Sequence, residues 1–207
     1  VKVKTVCGVT SAAWLCARLG KSWQDAAILS LHGRSGNLAG AVRRYGKVFA
    51  IAGDNVGSLL EALCACGLGS ARVWVGSNLS YENESIVHGL AAELRGRAFP
   101  ALSCLLVEYD GGGQAPVTPG VPDEVFVRGA VPMTKEEVRA VSLSKLRLTE
   151  DAVVYDVGAG TGSVSVEAAL LAWRGRVYAI ERKEEGCALI RENCRRFGTQ
   201  NVEVVEG

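Results

Sequence analysis

The sequence is poor in metal-binding side chains. It has two histidines, His32 and His88, and its seven cysteines, at 7, 16, 64, 66, 104, 187 and 194, include no CxxC pair. A tetrahedral zinc site needs such ligands at short spacing, so no metal is expected. An odd number of thiols scattered among apolar residues also argues against a disulfide scaffold and for the reduced, buried cysteines of a cytoplasmic protein. No apolar run approaches the roughly 18 residues that a membrane span requires, so no membrane partner is expected. Internal repeats are absent, and low-complexity sequence is confined to one short stretch. The only methionine is Met133, residue 1 is valine, and the final NVEVVEG breaks off just after a strand-like run. The chain is therefore expected to be a piece of a longer one, shortened at both ends.

Hydrophobic residues make up 48% of the 207, enough to fill the core of one large domain or two modest ones. Charge is balanced overall, with 23 Lys and Arg against 22 Asp and Glu, but it is uneven along the chain. Residues 1–50 hold eight Lys or Arg and a single acid, Asp25. That stretch reads either as a solvated basic face or as a surface that meets a polyanion. No RNA-binding or helix-turn-helix signature accompanies it, so nucleic acid is not the expected partner.

One break stands out. DGGGQAPVTPG, residues 110–120, destroys any helix or strand register and has little to pack, so it reads as a linker between residues 1–109 and 121–207. Upstream, TSAAWLCARLG (10–20) has helical apolar spacing and stops at Gly20. AAILSLHG reads as a strand, NLAGAVRRYG as a helix, VFAIAG as a strand and VGSLLEALCACG as a helix closing on Gly67. ARVWVGSNL and CLLVEYD supply two more strands, and the alternation predicts an α/β fold with a mostly parallel sheet. Downstream, residues 132–148 read as a helix opened by a capping box of Thr134 and Glu137. Strand AVVYDV, a glycine turn, a helix to about Trp173, strand RVYAIE, a helix over 184–197 and strand VEVVEG follow. In the 184–197 helix, Cys187, Ile190, Cys194 and Phe197 share one face, and Gly198 ends it. This is βαβαβ, half of a doubly wound sheet.

The glycine turn, VVYDVGAGTGSVSVEAA over 153–169, marks a nucleotide-like ligand. No lysine follows its glycines, which excludes a P-loop. A dinucleotide fingerprint has a third small residue where Ser163 stands, a weak mismatch. Asp156, two residues before Gly158, is the stronger signal. Its carboxylate would repel a pyrophosphate at this turn but attract the ammonium and sulfonium of S-adenosyl-L-methionine. Glu181, closing the next strand, is placed to accept hydrogen bonds from ribose hydroxyls. The pattern D-x-G-x-G-x-G with that acid resembles the Rossmann-like methyltransferases. A tight turn without ligand is the bland alternative.

PDEVFVRGAVPMTKEEVRAVSLSKLRL followed by VVYDVGAGTGSVSVEAA closely resembles the decarboxylating precorrin methyltransferases of cobalamin biosynthesis. GVTSAAWLCARLG, SLHGR (30–34) and NLSYENESI (78–86) resemble the later part of a tetrapyrrole methylase domain, and in some bacteria the two are fused in this order. The resemblance implies an α/β fold: a partial tetrapyrrole-methylase domain over 1–109, then an incomplete Rossmann-like class I methyltransferase domain over 121–207. It implies S-adenosyl-L-methionine as cofactor. It puts Gly158, Ala159, Gly160, Thr161 and Gly162 on the cofactor loop, Glu181 on the ribose-binding acid and Thr134 on a cofactor-contacting threonine. Tyr81, Glu82 and Glu84 fall on a tetrapyrrole-methylase motif, with packing as the alternative. His32 and His88 read as hydrogen-bonded or surface residues.

The implied substrate is a precorrin, a tetrapyrrole whose carboxylates suit the basic residues of 1–50. The implied reactions are methylation of carbon 5 by the upstream half and of carbon 15 by the downstream half, the latter with decarboxylation of an acetate side chain. A homo-oligomer through the downstream half is left open. Two departures matter: the glycine-rich loop of the first tetrapyrrole-methylase lobe is missing, and so is whatever follows Gly207. No catalytic base is identifiable. A methyltransferase of the same fold acting on RNA or protein would call for a recognition element or an N/D-P-P-Y-type motif, and neither is visible. A cofactor-binding or assembly module without turnover is the third reading.

Overall fold

A computed structural model of the chain describes residues 3–4, 8–33, 36–113 and 117–207. Cys7 and Arg34 lie outside them. The upstream half builds one sheet from β1 (Ala27–Ser30), β2 (Lys47–Ile51), β3 (Arg72–Ser77), β4 (Ser85–Leu90) and β5 (Ser103–Glu108), in the order β1-β2-β5-β3-β4. Helices α1 (Ser11–Leu19), α2 (Leu38–Tyr45), α3 (Val56–Ala65) and the short α4 (Ala91–Leu94) surround it. Alternate residues of β2 point to opposite layers. Val48 and Ala50 join Val42 of α2 and Leu60 of α3, while Phe49 joins Leu15 and Cys16 of α1. Burial on both faces explains the unbroken apolar run of that strand.

Local signals set the helix ends, with Gly20 closing the first helix as expected. The Thr10 hydroxyl accepts from the Ala13 amide at 3.2 Å, and Asn37 Oδ1 accepts from the Gly40 amide at 2.8 Å. Gly20 and Gly46 close α1 and α2 in the left-handed region, at φ 63° and 70°.

The sheet itself departs from the sequence reading. Only β1 and β2 pair parallel; β2–β5, β3–β5 and β3–β4 are antiparallel. The cause is β4, a strand the sequence reading did not include because its approach, Asn78 to Glu84, is mostly polar. Residues 78–84 form a hairpin loop, and a connection so short allows only an antiparallel return. Asn78 and Ser80 take left-handed φ values of 49° and 68° there.

The downstream half contains α5 (Glu136–Leu146), β6 (Val153–Val157), α6 (Ser163–Leu171), β7 (Arg176–Glu181), α7 (Glu184–Phe197) and β8 (Val202–Glu206). Its strands run β6-β7-β8, all parallel, the βαβαβ arrangement expected. Val177, Ala168, Ala169 and Leu143 form the core beneath the helices. The other sheet face shows Val153, Tyr155 and Val157 to solvent, with Tyr155 stacked on Tyr178 at 5.0 Å. The Thr134 capping box is not formed. Helix α5 begins two residues later, with Lys135 at the cap position and no side-chain cap bond.

The stretch read as a free linker is anchored where it is described. The Gly113 amide donates to the Arg43 carbonyl at 2.8 Å, and the Gly120 amide donates to Glu167 at 2.7 Å. A side chain at Gly112 would strike the Val42 carbonyl at 2.3 Å, so its glycine serves close packing against α2. The halves also touch directly. Tyr45 meets Trp173 edge-on at 5.6 Å, Arg44 pairs with Glu150 at 2.8 Å, and Gln200 donates to the Ala62 carbonyl at 3.1 Å. Trp173 is packed into the upstream core.

Candidate functional site

The turn between β6 and α6 is shaped by its neighbours. Gly160 has φ 59°, and a Cβ there would sit 2.9 Å from the Pro132 carbonyl oxygen. Gly162 has φ 77°, and a Cβ there would meet Ile190 of α7 at 2.9 Å. Gly158 differs, since a Cβ there would find no atom within 4 Å. Two glycines thus serve close approach inside the protein, and the third opens outward.

The amides of the turn face β7. Those of Gly158 and Ala159 donate to the Ile180 carbonyl at 2.9 and 3.0 Å. The Gly160 amide donates to Glu181 Oε2 at 2.9 Å, and the Lys183 amide donates to Glu181 Oε1 at 2.9 Å. Glu181 is 7% exposed, and the amides of Lys183 and then Gly160 hold its carboxyl below the usual carboxylate value. Each of its oxygens keeps a further lone pair for a ligand donor. A cavity of about 400 Å³ opens here, lined by Val131, Pro132, Gly158, Gly160, Ile180 and Glu181 among others. It lies outside the carboxyl ends of parallel strands, where open α/β sheets bind ligands. Another cavity, about 280 Å³, sits at the opposite strand ends beside Val153 and Arg176 and lacks that placement.

One wall is a strap, residues 120–134, whose last three residues were expected inside the 132–148 helix and lie before it instead. Side chains of three helices hold it. Glu167 of α6 accepts from the Gly120 amide at 2.7 Å, and Glu185 of α7 accepts from the Ala130 amide at 2.9 Å. Arg139 of α5 is fully buried; it donates to Glu167 and Asp123, both at 2.7 Å, and to the carbonyls of Val121 and Thr134. Asn193 of α7 bonds Val127 through both amide and carbonyl. None of these four was singled out from sequence. The available signal was a polar residue on an apolar helix face, Arg139 four before Leu143 and Asn193 three after Ile190.

Of the expected site residues, Gly158, Gly160 and Glu181 line the cavity together. Ala159, Thr161 and Gly162 complete the turn, with Thr161 1% exposed. Asp156 faces α6, where its Oδ2 accepts from the Ser165 hydroxyl at 2.6 Å, and it is not among the lining residues. Thr134 is exposed and also stands off the lining.

Upstream, Glu84 accepts from the Trp14 indole at 2.7 Å and the Ser80 amide at 2.8 Å and pairs with Arg18 at 2.9 Å, so it packs the hairpin loop onto α1. Tyr81, Glu82, His32 and His88 are exposed. Most of the described cations of 1–50 are engaged. Lys21 pairs with Glu108 and Lys47 with Asp25, and Arg43 donates to the carbonyls of Cys66 and Phe197. Among the described residues, these cations are met by acids and carbonyls of the chain itself. The six described cysteines are free thiols.

Residues 122–207 match the family described as "Precorrin methyltransferase domain", and residues 1–95 match "Tetrapyrrole (Corrin/Porphyrin) Methylases". The two matched segments lie in the order tetrapyrrole methylase, then precorrin methyltransferase. The precorrin methyltransferase segment is 56% identical over 93 residues to a Pyrobaculum calidifontis protein named "Probable cobalt-precorrin-6B C(15)-methyltransferase (decarboxylating)", covering 44% of this chain and 48% of the relative. Both segments together are 31% identical over 212 aligned positions to a Sinorhizobium protein named "Precorrin-6Y C(5,15)-methyltransferase [decarboxylating]", covering 100% of this chain and 51% of the relative. A solved precorrin-6y C5,15-methyltransferase from Geobacter metallireducens is 47% identical, with 45% of this chain and 50% of that one covered and a TM-score of 0.42. The chain spans about half the length of the curated relatives it matches. Among the described residues, no helix is long and apolar enough to cross a membrane.

Proposed function

We propose that residues 121–207 hold S-adenosyl-L-methionine at the turn after β6, as part of an enzyme that methylates a precorrin at carbons 5 and 15 and decarboxylates an acetate side chain in cobalamin biosynthesis. The observation that carries the reading is the direction of the turn's amides. Those of Gly158, Ala159 and Gly160 are taken by the end of β7, and the same strand presents the Glu181 carboxylate to the cavity. A phosphate would find those three donors spent on β7, with the Glu181 carboxylate as well as Arg182 and Lys183 bordering the cavity. A ligand with ribose hydroxyls meets the Glu181 oxygens as acceptors instead. The cavity volume, about 400 Å³, falls within the roughly 300–1,000 Å³ of small-molecule sites.

When bound, the cofactor supplies an electrophilic methyl group. The protein's part is binding, orientation and exclusion of water. Glu181 accepts the ribose hydroxyls, and Gly158 leaves room beside them. Ala159, Thr161 and Gly162 hold the turn's shape. Asp156 keeps an oxygen beyond its bond to Ser165, and its charge beside the turn favours the ammonium and sulfonium. Thr134, at the end of the strap, offers an exposed hydroxyl. The domain boundaries that go with this reading are 1–109, a linker over 110–120, and 121–207. The two family matches stop and start on either side of that linker.

The test is calorimetry of the chain with S-adenosylhomocysteine, NAD and ATP. Binding of the first with no heat from the phosphate ligands is expected, and the reverse order would overturn the reading. Incubating the full-length protein with precorrin and cofactor should then add methyl mass and remove the mass of carbon dioxide.

A further inference from the structure

Asn193 lies on the inner face of α7 with no solvent exposure. Its carboxamide joins two segments that the sequence keeps far apart. Oδ1 accepts from the Val127 amide at 2.8 Å, while Nδ2 donates to the Val127 carbonyl at 3.0 Å and the Thr161 carbonyl at 2.9 Å. Val127 is in the strap, four residues before Val131, and Thr161 follows Gly160 in the turn. Val131 and Gly160 line the same cavity.

We propose that Asn193 is a positioning residue: one buried amide sets the spacing between strap and glycine turn, and so the width of the cleft. The inference rests on the cofactor reading above. Among side chains of this size, only an amide supplies an acceptor and two donors at once. Aspartate would turn acceptors onto two carbonyls, and leucine would leave all three backbone groups unpaired. The same helix holds the strap a second time through Glu185, whose Oε1 accepts from the Ala130 amide at 2.9 Å. Helix α7 thus references the strap at two points and the turn at one.

The experiment compares three variants of the 207-residue chain. Asn193→Asp keeps the size and the acceptor for Val127 but loses both donors, so S-adenosylhomocysteine should bind about tenfold more weakly. Glu185 is exposed, so Glu185→Ala folds whatever becomes of Asn193. It should weaken binding by about threefold at an unchanged melting temperature. Val177→Ala opens a void in the core of this half without touching the strap; it should lower the melting temperature and leave affinity within about twofold. Hydrogen exchange over 120–134 should speed up in the first two variants and not in the third.

Equal loss of affinity per degree of melting temperature in all three variants overturns the positioning role. So does unchanged affinity in Asn193→Asp and Glu185→Ala. A parent chain that binds no S-adenosylhomocysteine overturns the cofactor reading and this inference with it. A binding parent with unaffected variants overturns only the role of Asn193.

Discussion

The amide of Gly160 and the carboxylate of Glu181 meet at 2.9 Å, so the turn that leaves β6 is closed by the acid that ends β7. The contact sets one carboxylate in a cavity wall that Arg182 and Lys183 also line, and it fixes the turn in the same step. The site and its support therefore share residues, and the variants below separate the two effects.

Glu181→Gln keeps one acceptor and turns an NH₂ toward the amide of Gly160 or Lys183. A charge-assisted bond is worth about 1.5–3 kcal/mol, so S-adenosylhomocysteine should bind about tenfold more weakly and the fold should soften. The pH dependence gives a separate readout. The Lys183 amide first, and the Gly160 amide second, hold the Glu181 carboxyl below 4.5. A lowered folded value means that this stabilisation is complete above the unfolded value and drains as pH falls through the folded one. Between about pH 5 and about pH 3 the parent should lose more melting temperature than Glu181→Gln. Parallel curves would remove Glu181 from this role.

Gly160→Ala and Gly158→Ala should part company. Both force a side chain into left-handed backbone, at φ 59° and 80°, which costs about 1–2 kcal/mol. Only the Cβ at 160 also strikes the Pro132 carbonyl, at 2.9 Å. Gly160→Ala should therefore melt lower and loosen the strap, while Gly158→Ala should chiefly reduce cofactor affinity. The same melting temperature for both would show that the strap yields freely.

The Arg139–Glu167 pair is buried, at 0% and 2% side-chain exposure. Breaking such a pair from one side costs about 3–5 kcal/mol, because the other charge is stranded. Glu167→Ala should show that loss in urea unfolding and release the Gly120 amide as well. A loss below about 1 kcal/mol would place the pair in the range of exposed salt bridges.

Trp173 comes from the downstream half yet is 5% exposed within the upstream core. Truncating a buried tryptophan to alanine costs about 3–5 kcal/mol. The parent should unfold in one calorimetric transition and Trp173→Ala in two, as the halves lose a shared apolar contact and keep only polar ones such as Arg44–Glu150. Two transitions in the parent would mean that the halves melt independently.

The glycine turn, Glu181 and the βαβαβ order were legible because their signals are local. Left-handed turns demand glycine, apolar periodicity marks strand and helix, and small side chains cap helix ends, as Thr10, Asn37 and Gly20 do. The upstream sheet was misread as mostly parallel because strand direction depends on which strands pair, and the seven-residue loop 78–84 makes β4 return antiparallel. The capping box at Thr134 failed because Arg139 claims the Thr134 carbonyl and the helix starts after it.

Charge shows the same division. Residues 1–50 carry an excess of cations in sequence, but Lys21 and Arg44 are met in space by Glu108 and Glu150, which come from elsewhere in the chain. The strap was likewise invisible. Each of its holding side chains lies 5 to 66 residues away, and only folding brings them together. Sequence alone determined which residues turn, cap and alternate, because those choices are made within a few residues. Tertiary structure decided which polar groups meet, because hydrogen bonds and ion pairs depend on distance in space.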